Sequence, residues 1–191
     1  MHPTGFHNPA DPDNKVKQLC AEILRGEGAI MLSRQAGERF ANELGTRDYV
    51  TGRMIETDAP AATDTPLLFA LLLNAAAAAK AETHISLYTK KKLIFKFETL
   101  EELAAWDFWG EEGSSVSAAT LAAELKKYDG FAAQGADPFG KTFFHNTPFG
   151  GAGAGPYYAG IVTPVIHYCM GGIAIATDGS VLNDGTVPPV T

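Results

Sequence analysis

The chain is 191 residues long, which makes one domain the natural count, and its 46% hydrophobic content is enough for a sizeable core. Fifteen Lys and Arg against 22 Asp and Glu leave a net charge of −7. With no basic run beyond Lys90-Lys91-Lys92, nucleic acid and anionic membrane are poor partners.

Residues 1–14 read as a proline- and aspartate-rich opening loop without an apolar stretch, so no secretory signal is expected. Residues 15–25 read as a helix, with two prolines ahead of it and two glycines behind it as start and stop signals. Ala29 to Ser33 reads as a short buried strand, Arg34 to Glu38 as a turn, and residues 46–56 as a helix. Pro60 to Pro66 is a loop in which Asp64 or Thr65 is a candidate cap for the most apolar segment, Pro66 to Ala81. That segment is interrupted by Asn74 and falls short of the ~20 residues a membrane helix needs, so a buried core helix is expected. Ile85 to Tyr88 and Leu93 to Phe97 alternate well enough for a hairpin around a solvated lysine turn.

Thr99 can cap a helix through Trp106, with Glu102 in the capping-box position, and Ser117 can cap another through Tyr128. Residues 129–156 are irregular. Gly150 to Pro156 lacks the following helix of a phosphate loop and reads as a flexible loop. Tyr157 to Ile166 returns as a strand pair and Ile173 to Ile175 as a further strand, and Pro188 to Thr191 has no element to close on. Helices and strands mix without a steady βαβ rhythm, so the fold class is α+β. Cys20 and Cys169 are the only cysteines. Neither belongs to a Cys-x-x-Cys pair, which points to reduced thiols in an intracellular, cytoplasmic or organellar compartment.

Four stretches carry candidate chemistry. In Arg39 to Asp48, Phe40 and Leu44 lie one helical turn apart and can face a core. Arg39 and Glu43, four apart, suit an ion pair that reads as a solvated surface bridge. Arg47 follows Gly45 and Thr46 in a loop or cap, where functional groups concentrate. Glu22 and Arg25 share a helix face. The apolar run Thr163 to Ile166 delivers His167 to a strand end, and Gly171 and Gly172 beyond it allow a close backbone approach. His2 opens the chain in a rigid His-Pro-Thr-Gly turn. Two histidines, two arginines and two carboxylates suit a pocket that grips an anionic substrate and moves a proton, although each histidine alone also reads as a structural one.

His2-Pro3-Thr4-Gly5, then Ala21-Glu22-x-x-Arg25-Gly26-x-Gly28, then Arg39-Phe40-x-Asn42-Glu43-x-x-Thr46-Arg47-Asp48, then His167-Tyr168-x-Met170-Gly171-Gly172 follow one another in an order that resembles the soluble fumarate reductase family. These are relatives of the succinate dehydrogenase flavoproteins, and the resemblance runs from His2 to about Ile175. It implies an α+β capping domain that closes over substrate, FAD in the intact protein, and fumarate and succinate as ligands. It implies Arg47 as the proton donor, Glu22 and Arg25 as the relay that reprotonates it, and His2, His167 and Thr46 as substrate-binding groups. Two family features are absent: Gly-x-Gly-x-x-Gly for the dinucleotide and the later Asn-Arg-Leu-Gly-Gly. The FAD-binding module is therefore expected to lie outside this chain, which should be inactive alone and hold no tightly bound flavin. Ala21 stands where some family members place a substrate-binding threonine, which leaves another unsaturated acid open as substrate. A succinate dehydrogenase, L-aspartate oxidase or steroid dehydrogenase type of flavoprotein, or a non-catalytic dicarboxylate-binding module, are the alternatives.

Overall fold

The computed structural model describes residues 1–58, 66–110, 115–150, 154–167 and 172–182. The candidate caps Asp64 and Thr65, the Tyr168 to Gly171 part of the last motif with Cys169, residues 151–153 of the glycine loop and Pro188 to Thr191 lie outside them.

The elements run β1 (His2–Phe6), α1 (Ile23–Gly26), β2 (Ile30–Ser33), α2 (Arg47–Thr57), β3 (Phe69–Asn74), α3 (Ala75–Lys80) and α4 (Glu82–Lys90). They continue with β4 (Phe95–Phe97), α5 (Leu100–Ala104), a 3₁₀ turn (Asp107–Trp109), α6 (Ala118–Gln134) and β5 (Tyr157–Val165). One antiparallel sheet carries them in the order β1-β5-β3-β2, with β4 also paired to β5. Val162 faces Phe69 on one side and Phe6 on the other, and Ala159 faces Leu72 and Phe95. β1 and β4 therefore lie end to end along the edge of β5 that β3 does not use. The class is α+β, as expected.

Helices cover both faces of the sheet. On one, Leu24, Val50, Met54, Ala77, Ile85 and Tyr88 pack against Phe6, Met31, Phe69, Leu71, Leu73 and Val162. On the other, Leu100, Leu103, Trp109, Leu121, Leu125 and Tyr128 pack against Ile30, Leu32, Ala70, Leu72, Ala159 and Ile161. Successive side chains of a strand point to opposite faces. A strand buried on both therefore reads as an unbroken apolar run.

This explains the largest correction to the sequence reading. Pro66 to Ala81 is not one helix: β3 occupies Phe69 to Asn74, and only the alanine run is helical. Asn74 is the N-cap between the two, its side chain accepting from the Ala77 N–H at 2.8 Å, and not an interruption. The Ile85–Tyr88 arm of the expected hairpin is α4, where Ala81, Ile85 and Tyr88 are buried at helical spacing. The lysine turn consequently joins a helix to β4. The opening turn at His2 is strand β1, and the helix expected over 15–25 is only the short α1. Tyr157 to Val165 is one strand and not a pair, and Ile175 makes an isolated bridge to Val181. The caps at Thr99 and Ser117 are as expected, each side chain accepting from a backbone N–H three residues on. Among the described residues no helix is long and apolar enough to cross a membrane.

Leu71 and Leu72 are fully buried on opposite faces of β3. Replacing either by alanine should cost ~2–5 kcal/mol in urea denaturation, because each leaves a cavity in a separate half of the core. A loss below ~0.5 kcal/mol at both positions would mean that β3 is not the centre of the fold.

Candidate active site

Segments far apart in sequence meet beside β1. The antiparallel pairing sets His2 opposite Val165, so His2 and His167, just beyond the end of β5, come together with ring centroids 5.2 Å apart, edge to face. The β1–β5 register shifts between His2 and Gly5, a bulge of the kind that re-aims a side chain at a site. α2 packs against β1 and starts at Arg47. Thr46 is its N-cap, with Oγ1 accepting from the Tyr49 N–H at 3.3 Å. Glu22 precedes α1 in helical conformation, so it and Arg25 do share a face.

Their charges meet at one oxygen. Glu22 Oε1 accepts from Arg47 Nε at 2.7 Å and from Arg25 Nη2 at 3.3 Å, and lies 3.6 Å from His2 Nε2. Glu22, Arg25, Thr46 and Arg47, with Leu44 and Gly45, line a cavity of about 310 Å³. Of the six residues singled out in the sequence, these four line the cavity, His2 adjoins it through Glu22, and His167 is linked through the His2 ring while lining a neighbouring cavity. Thr46 is partly committed to capping, and the threonine-for-Ala21 position presents its N–H to Tyr88 Oη at 3.0 Å.

The hydrogen bond from Arg47 holds the Glu22 carboxyl below the usual carboxylate range. Burial pulls Arg25 below an ordinary arginine. Burial, followed by the Arg47 charge, pushes His2 down to about 4. His2 is therefore neutral near pH 7. Its Nδ1 accepts from the Thr4 N–H at 3.2 Å, which assigns the ring proton to Nε2. Arg47 occupies the first turn of α2, where the helix dipole is unfavourable to a cation and the Glu22 carboxylate offsets it. The cluster can donate neutral and charged hydrogen bonds to an anion, and its contacts form a continuous path from Arg25 through Glu22 to Arg47. No metal-ligand cluster occurs among the described residues.

A second charge cluster lies behind this site. The expected solvated Arg39–Glu43 bridge is instead buried, with both side chains 1% exposed. Residues 39–45 are not helical: Arg39 is held by a bridge to Leu32, and Leu44 is 39% exposed while Phe40 is buried. Arg39 Nε and Nη2 reach the two Glu43 oxygens at 2.7 and 2.8 Å, and Nη2 reaches Asp137 at 2.9 Å. Lys141 Nζ donates to Glu43 at 2.9 Å and to Tyr128 Oη at 3.0 Å. Asp137 and Lys141 sit in a stretch read only as irregular, and neither has a local pattern that would mark it.

Acid should loosen this arrangement. Unfolded His2 takes up a proton near pH 6.5, whereas the folded ring resists protonation until about pH 4. The unfolded chain therefore binds the extra proton between these values, and stability falls as pH drops through the window, by at most about 3 kcal/mol. His2→Gln should lose less stability than wild type between pH 7 and 4 in urea titrations. Equal losses would show that the ring is not held neutral; His7, also pushed down by burial, is common to both proteins.

The chain matches the FAD binding domain family over residues 1–189. It is similar to the fumarate reductase of Schizosaccharomyces pombe, at 38% identity over 96% of this chain and 32% of the relative. It is also similar to fumarate reductase 1 of Saccharomyces cerevisiae, at 35% identity over 95% of this chain and 37% of the relative. Among solved structures, the open conformation of a flavocytochrome c3 fumarate reductase aligns with a TM-score of 0.66 and 29% identity, over 98% of this chain and 28% of that one. The chain spans about a third of the length of these curated relatives. A match across almost every residue, with the fold to go with it, places the chain in the FAD binding domain family, among the fumarate reductase flavoproteins.

Proposed function

We propose that this chain is the capping, substrate-closing segment of an intracellular FAD-dependent fumarate reductase that converts fumarate to succinate. The observation that carries the reading is the shared oxygen: Glu22 Oε1 between Arg25 and Arg47, beside a neutral His2. The likeness to fumarate reductases across nearly the whole chain supports it.

The FAD is assigned to a module outside these residues. The sequence contains no Gly-x-Gly-x-x-Gly that would cradle a pyrophosphate at a helix N-terminus. When bound there, the flavin supplies hydride to one alkene carbon. The residues of this chain do the rest. His2, His167 and Thr46 hydrogen-bond the substrate carboxylates, His2 through its Nε2–H.

Arg47 gives the proton to the second carbon. A guanidinium with a pKa above ~12 is a poor acid toward water, but the developing carbanion is basic enough to take its proton. Its fixed charge stabilises that carbanion before transfer. Glu22, a carboxylate at rest, then passes a proton from Arg25 to the neutral Arg47, and Arg25 recovers its proton from solvent. A reduced thiol at the buried Cys20 fits an intracellular setting, cytoplasmic or organellar.

Two measurements test this. The isolated 191-residue chain should be colourless, and a yellow preparation with stoichiometric flavin would place the cofactor site within it. In the intact flavoprotein, Arg47→Ala and Arg47→Lys should lower kcat ~10²-fold or more while KM changes little, and reduction of the flavin by an artificial donor should stay normal. Turnover of Arg47→Ala within about threefold of wild type would return Arg47 to an ordinary salt bridge.

A further inference from the structure

Glu43 belongs to two networks at once. Its carboxylate is locked by Arg39 and Lys141 and also accepts from the Met31 N–H at 3.3 Å. Its backbone carbonyl accepts from Arg25 Nη1 at 2.7 Å. Three residues later the chain reaches the Thr46 cap and then Arg47. Lys141 is fully buried, 1% exposed, and is tied to α6 through Tyr128. The segment that carries it also grips the end of α1: Asn146 Nδ2 donates to the Glu27 carbonyl at 2.7 Å, and His145 Nδ1 contacts the Gly26 carbonyl. One loop therefore braces both the carbonyl that holds Arg25 and the helix that carries it.

We infer that the buried Arg39–Glu43–Lys141 cluster is a positioning device for the proton relay, fixing residue 43 so that its carbonyl aims Arg25 and the following loop delivers Arg47 to Glu22. This rests on the relay proposed above. Replacing a buried ion cluster by apolar side chains is often neutral or stabilising, so such a cluster is weak evidence of a purely stabilising role. Here the directional bonds of a carboxylate fix a backbone carbonyl that an apolar side chain would leave free to turn. Lys141 and Arg39 do not line the cavity beside Glu22 and Arg47, whereas Glu43 does, so they act through Glu43.

The test compares Lys141→Met and Lys141→Arg in the intact, flavin-loaded protein, with flavin content and thermal melting as checks on folding. Lys141→Met should lower kcat for fumarate about tenfold or more with KM within about threefold. It should also raise the solvent deuterium isotope effect on kcat, because proton delivery becomes the slow step. Flavin reduction by an artificial donor should be unchanged, and Lys141→Arg should recover most of the turnover. If Lys141→Met does not fold, Arg39→Lys, which keeps the charge and loses the planar fork, carries the same comparison.

A variant with lower melting temperature but wild-type kcat and isotope effect would overturn the inference and leave a structural cluster. Arg47→Ala in the same assay separates the two claims: if it turns over normally, the relay itself fails. The positioning claim is then read from the crystal structure of Lys141→Met. Displacement of the Arg25–Glu43 carbonyl and Arg47–Glu22 contacts, both 2.7 Å in the wild type, supports it, and their persistence overturns it.

Discussion

The geometry of the site depends on four charges taken out of water. The side chains of Arg39, Glu43, Asp137 and Lys141 are all at most 1% exposed, and desolvation costs several kcal/mol per ion in such a setting. Only complete pairing offsets that. Arg39 meets Glu43 with both arms of its fork, and its guanidinium lies 4.6 Å from the Tyr128 ring centre. Asp137 accepts from the Phe139 and Lys141 N–H groups at 2.9 and 2.8 Å. Burial alone would raise the Glu43 carboxyl, but the neighbouring Lys141 and Arg39 outweigh it and hold it ionised. The two cations and two anions balance, so the cluster is stable as a set and intolerant of losing one member; removal of a single partner from such a group costs ~3–5 kcal/mol.

The apolar frame holds this cluster in place. β2 ends beside Arg39, and α6 brings Tyr128 over it from the opposite layer. β3 and β5 run through the centre with helices on both faces, so the sheet cannot slip by one residue without exchanging its two buried sets. That rigidity is what allows the edge strand β1 to carry a bulge and still present His2 at a defined position. The site itself lies at the margin of the sheet, where Glu22 and Arg47 keep partial access to solvent, as the proposed reprotonation of Arg47 requires.

Local signals in the sequence were reliable where one side chain acts on its own neighbourhood. The caps at Thr99 and Ser117, the turn after β2 and the helix following Thr46 depend on contacts within a few residues. They failed where burial on two sides removed the contrast between periods. Phe69 to Leu73 shows no polar face because it has none, and the adjoining alanines disguised its end. Ile85 and Tyr88 suit a strand by alternation and a helix by their spacing from Ala81, and only the packing of α4 decides between them.

The sequence by itself determined the family and the residues of the candidate site. His2, Glu22, Arg25, Thr46, Arg47 and His167 stand in motifs whose order is specific even though each motif is weak. It also determined that helices and strands would mix around a large core. Tertiary structure alone decided that His2 and His167 meet, because that follows from β1 pairing antiparallel to β5. It alone turned Arg39 and Glu43 from a surface pair into a buried one. Their environment is set by Tyr128, Asp137 and Lys141, which are brought in from nearly a hundred residues away. Spacing along a chain can show that two charges are able to touch, but whether water surrounds them depends on what else the fold brings to the same place.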